Sequence, residues 1–222
     1  QNGIQLNGDC YAGGDGIISG AIIEDNFVHD NGWKGFSLIS VTGALIQNNI
    51  VANNGTRGAG AGGIHLADEP GCDNPSNDNL VVNNTVVEPV IAGIRMTNNS
   101  TNNTIFNNLA IASSTDRTII DEAGGNAIDS GSNLRFASTS GLFVDDANND
   151  FHVSASSPAI GAGISAYNGK NAPSKDFEGT PRPSGASYEV GADEYGGGGG
   201  GGPPRRWRFR IPSTGPLSRE PS

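Results

Sequence analysis

The chain has 222 residues, room for one domain and a small appendage, and its 34 glycines and 25 asparagines leave only 35% hydrophobic and 16% charged residues, too few for a conventional thick core. The glycines keep no three-residue period, which excludes collagen, and no apolar run approaches the ~20 residues of a transmembrane helix. The formal charge of −10 conceals an asymmetry: residues 205–222 carry +4 and the remainder about −14, an acidic body without the basic track that nucleic-acid binding requires.

Gln1 leads directly into glycine- and asparagine-rich sequence, without a charged-then-apolar leader, so the expectation is a processed form or a fragment. Two short phrases then recur. The first is Gly, a large apolar residue, any residue, then Leu or Met: Gly3-Ile4-Gln5-Leu6, Gly35-Phe36-Ser37-Leu38, Gly63-Ile64-His65-Leu66 and Gly93-Ile94-Arg95-Met96, spaced by 32, 28 and 30 residues. The second is an aliphatic residue, a spacer, then Asn or Asp followed by Asn, ending at Asn26, Asn49, Asn84 and Asn108 with spacings of 23, 35 and 24. The surplus in the middle interval falls near Arg57–Asp78, a stretch rich in turn residues.

A self-similar period of this length defines a solenoid. Its apolar stretches are short, β-branched and bounded by Gly and Asn, so they are strands. Coil on coil, such units form a right-handed parallel β-helix, an all-β fold in which a thin core suffices because each coil buries its aliphatic residues against its neighbours. Alternation puts Ile64 and Leu66 on one face and His65 on the other. Asn26, Asn49, Asn84 and Asn108 then fall at one turn of successive coils, where their amides stack as a ladder. The same geometry makes most of the five Asn-X-Ser/Thr sequons, at Asn54, Asn83, Asn98, Asn99 and Asn102, incidental to so asparagine-rich a chain. Cys10 and Cys72 permit one disulfide; two free thiols are the other reading.

Regular coils are expected over 1–112, with further coils missing upstream because Gly3-Ile4-Gln5-Leu6 already reads as a working coil. Looser coils and a closing segment follow over 113–195. That segment contains Ser157-Pro158-Ala159-Ile160, then Asp176-Phe177-Glu178-Gly179-Thr180-Pro181-Arg182-Pro183, then Tyr188-Glu189-Val190-Gly191-Ala192-Asp193-Glu194-Tyr195. It resembles the C-terminal closing segment of bacterial secreted or surface right-handed β-helix proteins of the pectate-lyase-like superfamily, with Val190 and Asp193 where Ile and Tyr are usual. The resemblance implies a fold and a setting outside the cytoplasm; it is poorly specific for activity. Residues 196–222, seven glycines and an arginine-rich run, read as a disordered tail, either a linker to a further anchor or the product of a frame shift.

Stacking the four glycine-led phrases aligns Gln5, Ser37, His65 and Arg95 in one outward row. The resemblance implies that such a row can act on an acidic polysaccharide by β-elimination, with Arg95 neutralising a uronate carboxylate and His65 as base. Trp33, Lys34 and Ser37 are the candidate substrate-binding residues; Trp33 either offers a sugar-stacking face or plugs the side of a coil. Asp68, Glu69, Asp73 and Asp78 are the candidate ligands of a Ca²⁺ ion that would bridge substrate carboxylates to the acidic body. The polygalacturonase and mannuronan-epimerase signatures are absent. The expectation is therefore an extracellular carbohydrate-interacting protein, a lyase if an enzyme, acting as a monomer or as part of a longer multi-coil chain; the alternative is a non-catalytic surface or adhesion module.

Overall fold

The computed structural model describes residues 1–57, 62–196 and 208–210. Three parallel sheets run the length of a right-handed parallel β-helix. Sheet 1 stacks Ile4–Asn7, Phe36–Ile39, Ile64–Ala67, Ile94–Met96 and Ile119–Asp121. Sheet 2 stacks Ile22–Glu24, Leu45–Gln47, Leu80–Val82, Thr104–Phe106 and Ala127–Ile128. Sheet 3 stacks Phe27–His29, Ile50–Ala52, Thr85–Glu88, Leu109–Ala112 and Leu134–Phe136. Arg208–Arg210 adds antiparallel to the first strand of sheet 2. The rest of the stretch expected to be a disordered tail lies outside the described residues.

Register turns the repeats into columns. Ile4, Phe36, Ile64, Ile94 and Ile119 are successive partners in sheet 1, as are Leu6, Leu38, Leu66 and Met96. Ile23, Ile46, Val81, Ile105 and Ile128 form the column of sheet 2, and Val28, Val51, Val86 and Ala110 that of sheet 3. Most of these residues form a single buried core; fully burying one such aliphatic side chain stabilises by about 1.5–3 kcal/mol. The glycine that opens each phrase has a steric reason. A Cβ at Gly3, Gly35 or Gly63 would collide with Val28, Val51 or Val86, the inward valine at the end of the same coil. In the fifth coil two of the columns end on charge: Asp121 continues the Leu/Met column and Arg135 the valine column.

The corners are built from asparagine. Asn26, Asn49, Asn84, Asn108 and Asn133 form one ladder, each of the first four donating its backbone N–H and side-chain amide to the next Oδ1 at 2.9–3.1 Å. The left-handed conformation belongs to the preceding residues, Asp25, Asn48, Asn83 and Asn107, with φ of 50–55°. Turning and laddering are thus separate tasks of adjacent residues. Asn79, Asn103 and Asn126 form a second ladder at the corner between sheets 1 and 2. Between sheets 3 and 1 a third runs from Asn31 to Asn54 and ends on Glu88, whose two oxygens accept from Asn54 at 2.7 Å. Of the sequon asparagines, Asn54 and Asn83 are buried.

The closing segment lies along the side of the helix. It runs back over the corner between sheets 2 and 3, where Asn107 bonds Ile164, Asn83 bonds the carbonyls of Glu189 and Gly191, and Asn48 bonds Lys175. With the antiparallel hairpin Phe143–Asp145 and Asp150–Val153 it covers the outer face of sheet 3 in a second apolar layer that includes Ile50, Leu109, Phe143, Phe151 and Val190. Arg182 clasps this strap: its Nη1 donates to Glu194 at 2.7 Å, both side chains fully buried, and its Nη2 donates to the Gly191 carbonyl at 2.9 Å. Tyr167, on a two-residue hairpin, packs against Phe106 on sheet 2.

Candidate functional site

Among the described residues the closing segment's hydrogen bonds and apolar contacts fall on sheets 2 and 3 rather than on the outer face of sheet 1. The expected row is there: Gln5 pairs with Ser37, Ser37 with His65 and His65 with Arg95. Its exposure differs from expectation. Ser37 and His65 are only 3% and 7% exposed, because residues from the flanking turns fold over them. Lys34 reaches across Ser37, with Nζ 3.4 Å from Oγ, and Thr97 Oγ1 sits 3.0 Å from His65 Nε2. Arg95 reaches to the next coil, where Nε and Nη2 donate to Glu122 Oε1 at 3.1 and 2.7 Å.

The electrostatics follow from this crowding. Burial, then the Lys34 and Arg95 charges, push the His65 pKa down to about 3, so the imidazole is neutral at physiological pH and only weakly basic. Among the described residues its buried Nδ1 has no hydrogen-bond partner. Burial and the Arg95 charge also lower the Lys34 pKa. The result is two cations, Lys34 and an Arg95 already paired with Glu122, around a neutral imidazole. Trp33, the residue before Lys34, is 57% exposed, so its ring does not plug the side of the coil.

Asp68, Glu69, Asp73 and Asp78 are not gathered: among the described residues no group of three or more His, Cys, Asp or Glu side chains could hold a metal ion. Asp73 and Asp78 have φ of 54° and 58°, and Asp78 precedes ladder residue Asn79, so both serve the turn's shape. The Glu69 N–H is tied to Ser40 Oγ at 3.3 Å. The cysteines do form a bridge, Cys10–Cys72, with Cα atoms 5.8 Å apart. Sequence reasoning missed the acidic cluster around His152, which contacts Asp150 and, at 3.3 Å, Glu178. It joins the hairpin to the strap, a long-range meeting with no local signal.

Three columned sheets, inward aliphatic stacks and corner ladders define the class, a β-helix solenoid. A family model, the right handed beta helix region, matches residues 1–140, and the chain belongs to that family. No curated protein and no solved structure matches it significantly. Among the described residues no helix is long and apolar enough to cross a membrane.

Proposed function

We propose that this protein is an extracellular β-helix module that binds an acidic polysaccharide on the outer face of sheet 1. The observation that carries the reading is the juxtaposition of Lys34 and Arg95 on the outer face of sheet 1, away from the strap, with the exposed Trp33 preceding Lys34 in the chain. Both cations lower the His65 pKa; a carboxylate arriving there would bond Lys34 and share the Arg95 guanidinium with Glu122. Trp33 offers an apolar face to a sugar ring. The Cys10–Cys72 bridge supports an oxidising compartment. Charge compensation falls to Lys34 and Arg95, so binding requires no Ca²⁺ at Asp68, Glu69, Asp73 or Asp78.

Affinity electrophoresis through gels containing pectate, alginate or hyaluronan tests this. At least one polymer should retard the wild type, with EDTA making no difference, and Lys34→Ala and Arg95→Ala should each weaken retardation about tenfold, the loss of a charge-assisted hydrogen bond. Equal mobility with and without every polymer, or variants that behave as wild type, would overturn the reading.

A lyase reading has one observation in its favour, the cross-strand contact of Arg95 with a neutral His65. Against it, a base with a pKa of about 3 is poorly matched to proton abstraction at neutral pH, and its ring is covered. Incubation with polyuronates should therefore give no ultraviolet-absorbing unsaturated product. Such a product, abolished by His65→Ala, would establish the lyase instead.

A further inference from the structure

The corner between sheets 1 and 2 varies sharply in length along the helix. The second coil crosses it in residues 40–44, whereas the first and third make long excursions, 8–21 and 68–79. These two excursions meet over the short one and form a lobe. Cys10 and Cys72 join them covalently, Tyr11 Oη donates to the Pro70 carbonyl at 2.8 Å, and Asn74 Nδ2 donates to the Asp15 carbonyl at 2.9 Å. Asp9 Oδ1 accepts the Tyr11 N–H at 2.8 Å and caps the single 3₁₀ turn Cys10–Ala12.

The lobe is firmly cross-linked yet buries little of its own apolar surface. Tyr11 is 70% exposed and Ile17 40%. An exposed tyrosine on a loop is ordinarily free to rotate, and freezing it costs entropy. Here the backbone beneath it is capped, the preceding residue is bridged and the hydroxyl is tied down. A Cβ at Gly71, where φ is +87°, would collide with the hydroxyl, so the chain makes room for the ring in this one position. A fixed ring with an open face suits the flat C–H face of a pyranose.

Its place in the topology gives the direction of the ligand. Trp33 leads into a strand of sheet 1, and Tyr11 follows one; the two exposed rings stand at opposite ends of those strands, with the Ser37–His65–Arg95 row between. We infer that Tyr11 is a second sugar-stacking subsite, and that the glycan lies along the strands of sheet 1 from Trp33 to Tyr11. This rests on the binding reading above. The lobe carries Asp9, Asp15, Asp68, Glu69 and Asp73, so it repels a carboxylate, and the ring over Tyr11 is a neutral sugar. The ligand class is a glycan that alternates uronate with neutral rings.

Hyaluronan oligosaccharides, in which glucuronate alternates with a neutral N-acetylhexosamine, supply the probe. By calorimetry Tyr11→Ala should weaken hexasaccharide binding about tenfold and leave the disaccharide unaffected, while Tyr11→Phe, which keeps the ring, should bind within about twofold of wild type. Trp33→Ala should weaken both ligands. Wild-type affinity in Tyr11→Ala beside a weakened Trp33→Ala overturns the subsite and leaves the binding reading standing. Equal losses in Tyr11→Phe and Tyr11→Ala assign the effect to the hydroxyl and overturn stacking. A wild type that binds pectate or alginate but no hyaluronan hexasaccharide overturns the neutral-ring subsite alone. Failure to bind any of the three polymers overturns the reading on which it rests.

Discussion

Asn84 concentrates the physics of this fold in one side chain. Its amide donates to Asn108 Oδ1 and to the carbonyls of Ile46 and Val82, and its Oδ1 accepts both donors of Asn49. Truncation would orphan polar groups above and below in a fully buried site, each worth ~1–3 kcal/mol. Asn84→Ala should therefore lower unfolding free energy in urea by about 3 kcal/mol or more, whereas a substitution at an exposed position such as Asp116 should stay within about 0.5 kcal/mol. Glu88 occupies a ladder end where an asparagine would be neutral. Burial, opposed in part by the Asn54 hydrogen bonds, pushes its pKa up to about 8 from 4.5. A folded value above the unfolded one means that folding favours the protonated acid: this stability is complete below pH 4.5 and is lost as pH rises through about 8. The midpoint of thermal unfolding should fall across that window, and Glu88→Gln should flatten the fall; an unchanged profile in the variant would contradict the assignment.

At the scale of elements, what repeats was legible and what meets across long distances was not. The glycine-led phrases set the strands and register of sheet 1, and the Asn phrases located one ladder, because both recur in successive coils. The third ladder was hidden by a break in residue type, Glu88 following Asn31 and Asn54, and the second starts only at Asn79, with Ala44 in the coil before it. Ile50-Val51-Ala52 and Leu109-Ala110-Ile111 are continuous apolar runs, the mark of strands covered on both faces, a local trace of the layer outside sheet 3 that the sequence analysis did not use. The strap over that layer is held by Arg182 and Glu194, whose pairing no local pattern announces. Arg182→Met should leave Glu194 buried and uncompensated, at a cost of about 3–5 kcal/mol. Proteolysis within 163–195 should accelerate in that variant while the sheet signature in circular dichroism persists. The row Gln5, Ser37, His65, Arg95 was readable from spacing alone; its burial was not, since that depends on Lys34 and Thr97 arriving from turns.

The whole molecule is a cylinder with unequal sides. Its fifth coil puts Asp121 and Arg135 into two of the inward columns, the chain's own C-terminal segment covers sheet 3 and the corner to sheet 2, and a disulfide lobe stands at the edge of sheet 1. The bridge closes a span of 62 residues, worth roughly 4 kcal/mol in chain entropy. Reduction should lower the unfolding midpoint and, by loosening Tyr11, weaken glycan binding as well. Net charge of −10 would oppose an acidic ligand over most of the acidic body, and Lys34 with the Glu122-paired Arg95 offsets that repulsion locally on sheet 1. The most direct test of that claim is a crystal soaked with the hexasaccharide of the polymer that retards the protein most. A uronate carboxylate within hydrogen-bonding distance of Lys34 Nζ or the Arg95 guanidinium, on the outer face of sheet 1, is the predicted result. Sugar bound instead in the acidic cleft of about 460 Å³ between sheet 2 and the strap, lined by Glu24, Asp25, Lys175 and Glu178, would contradict it.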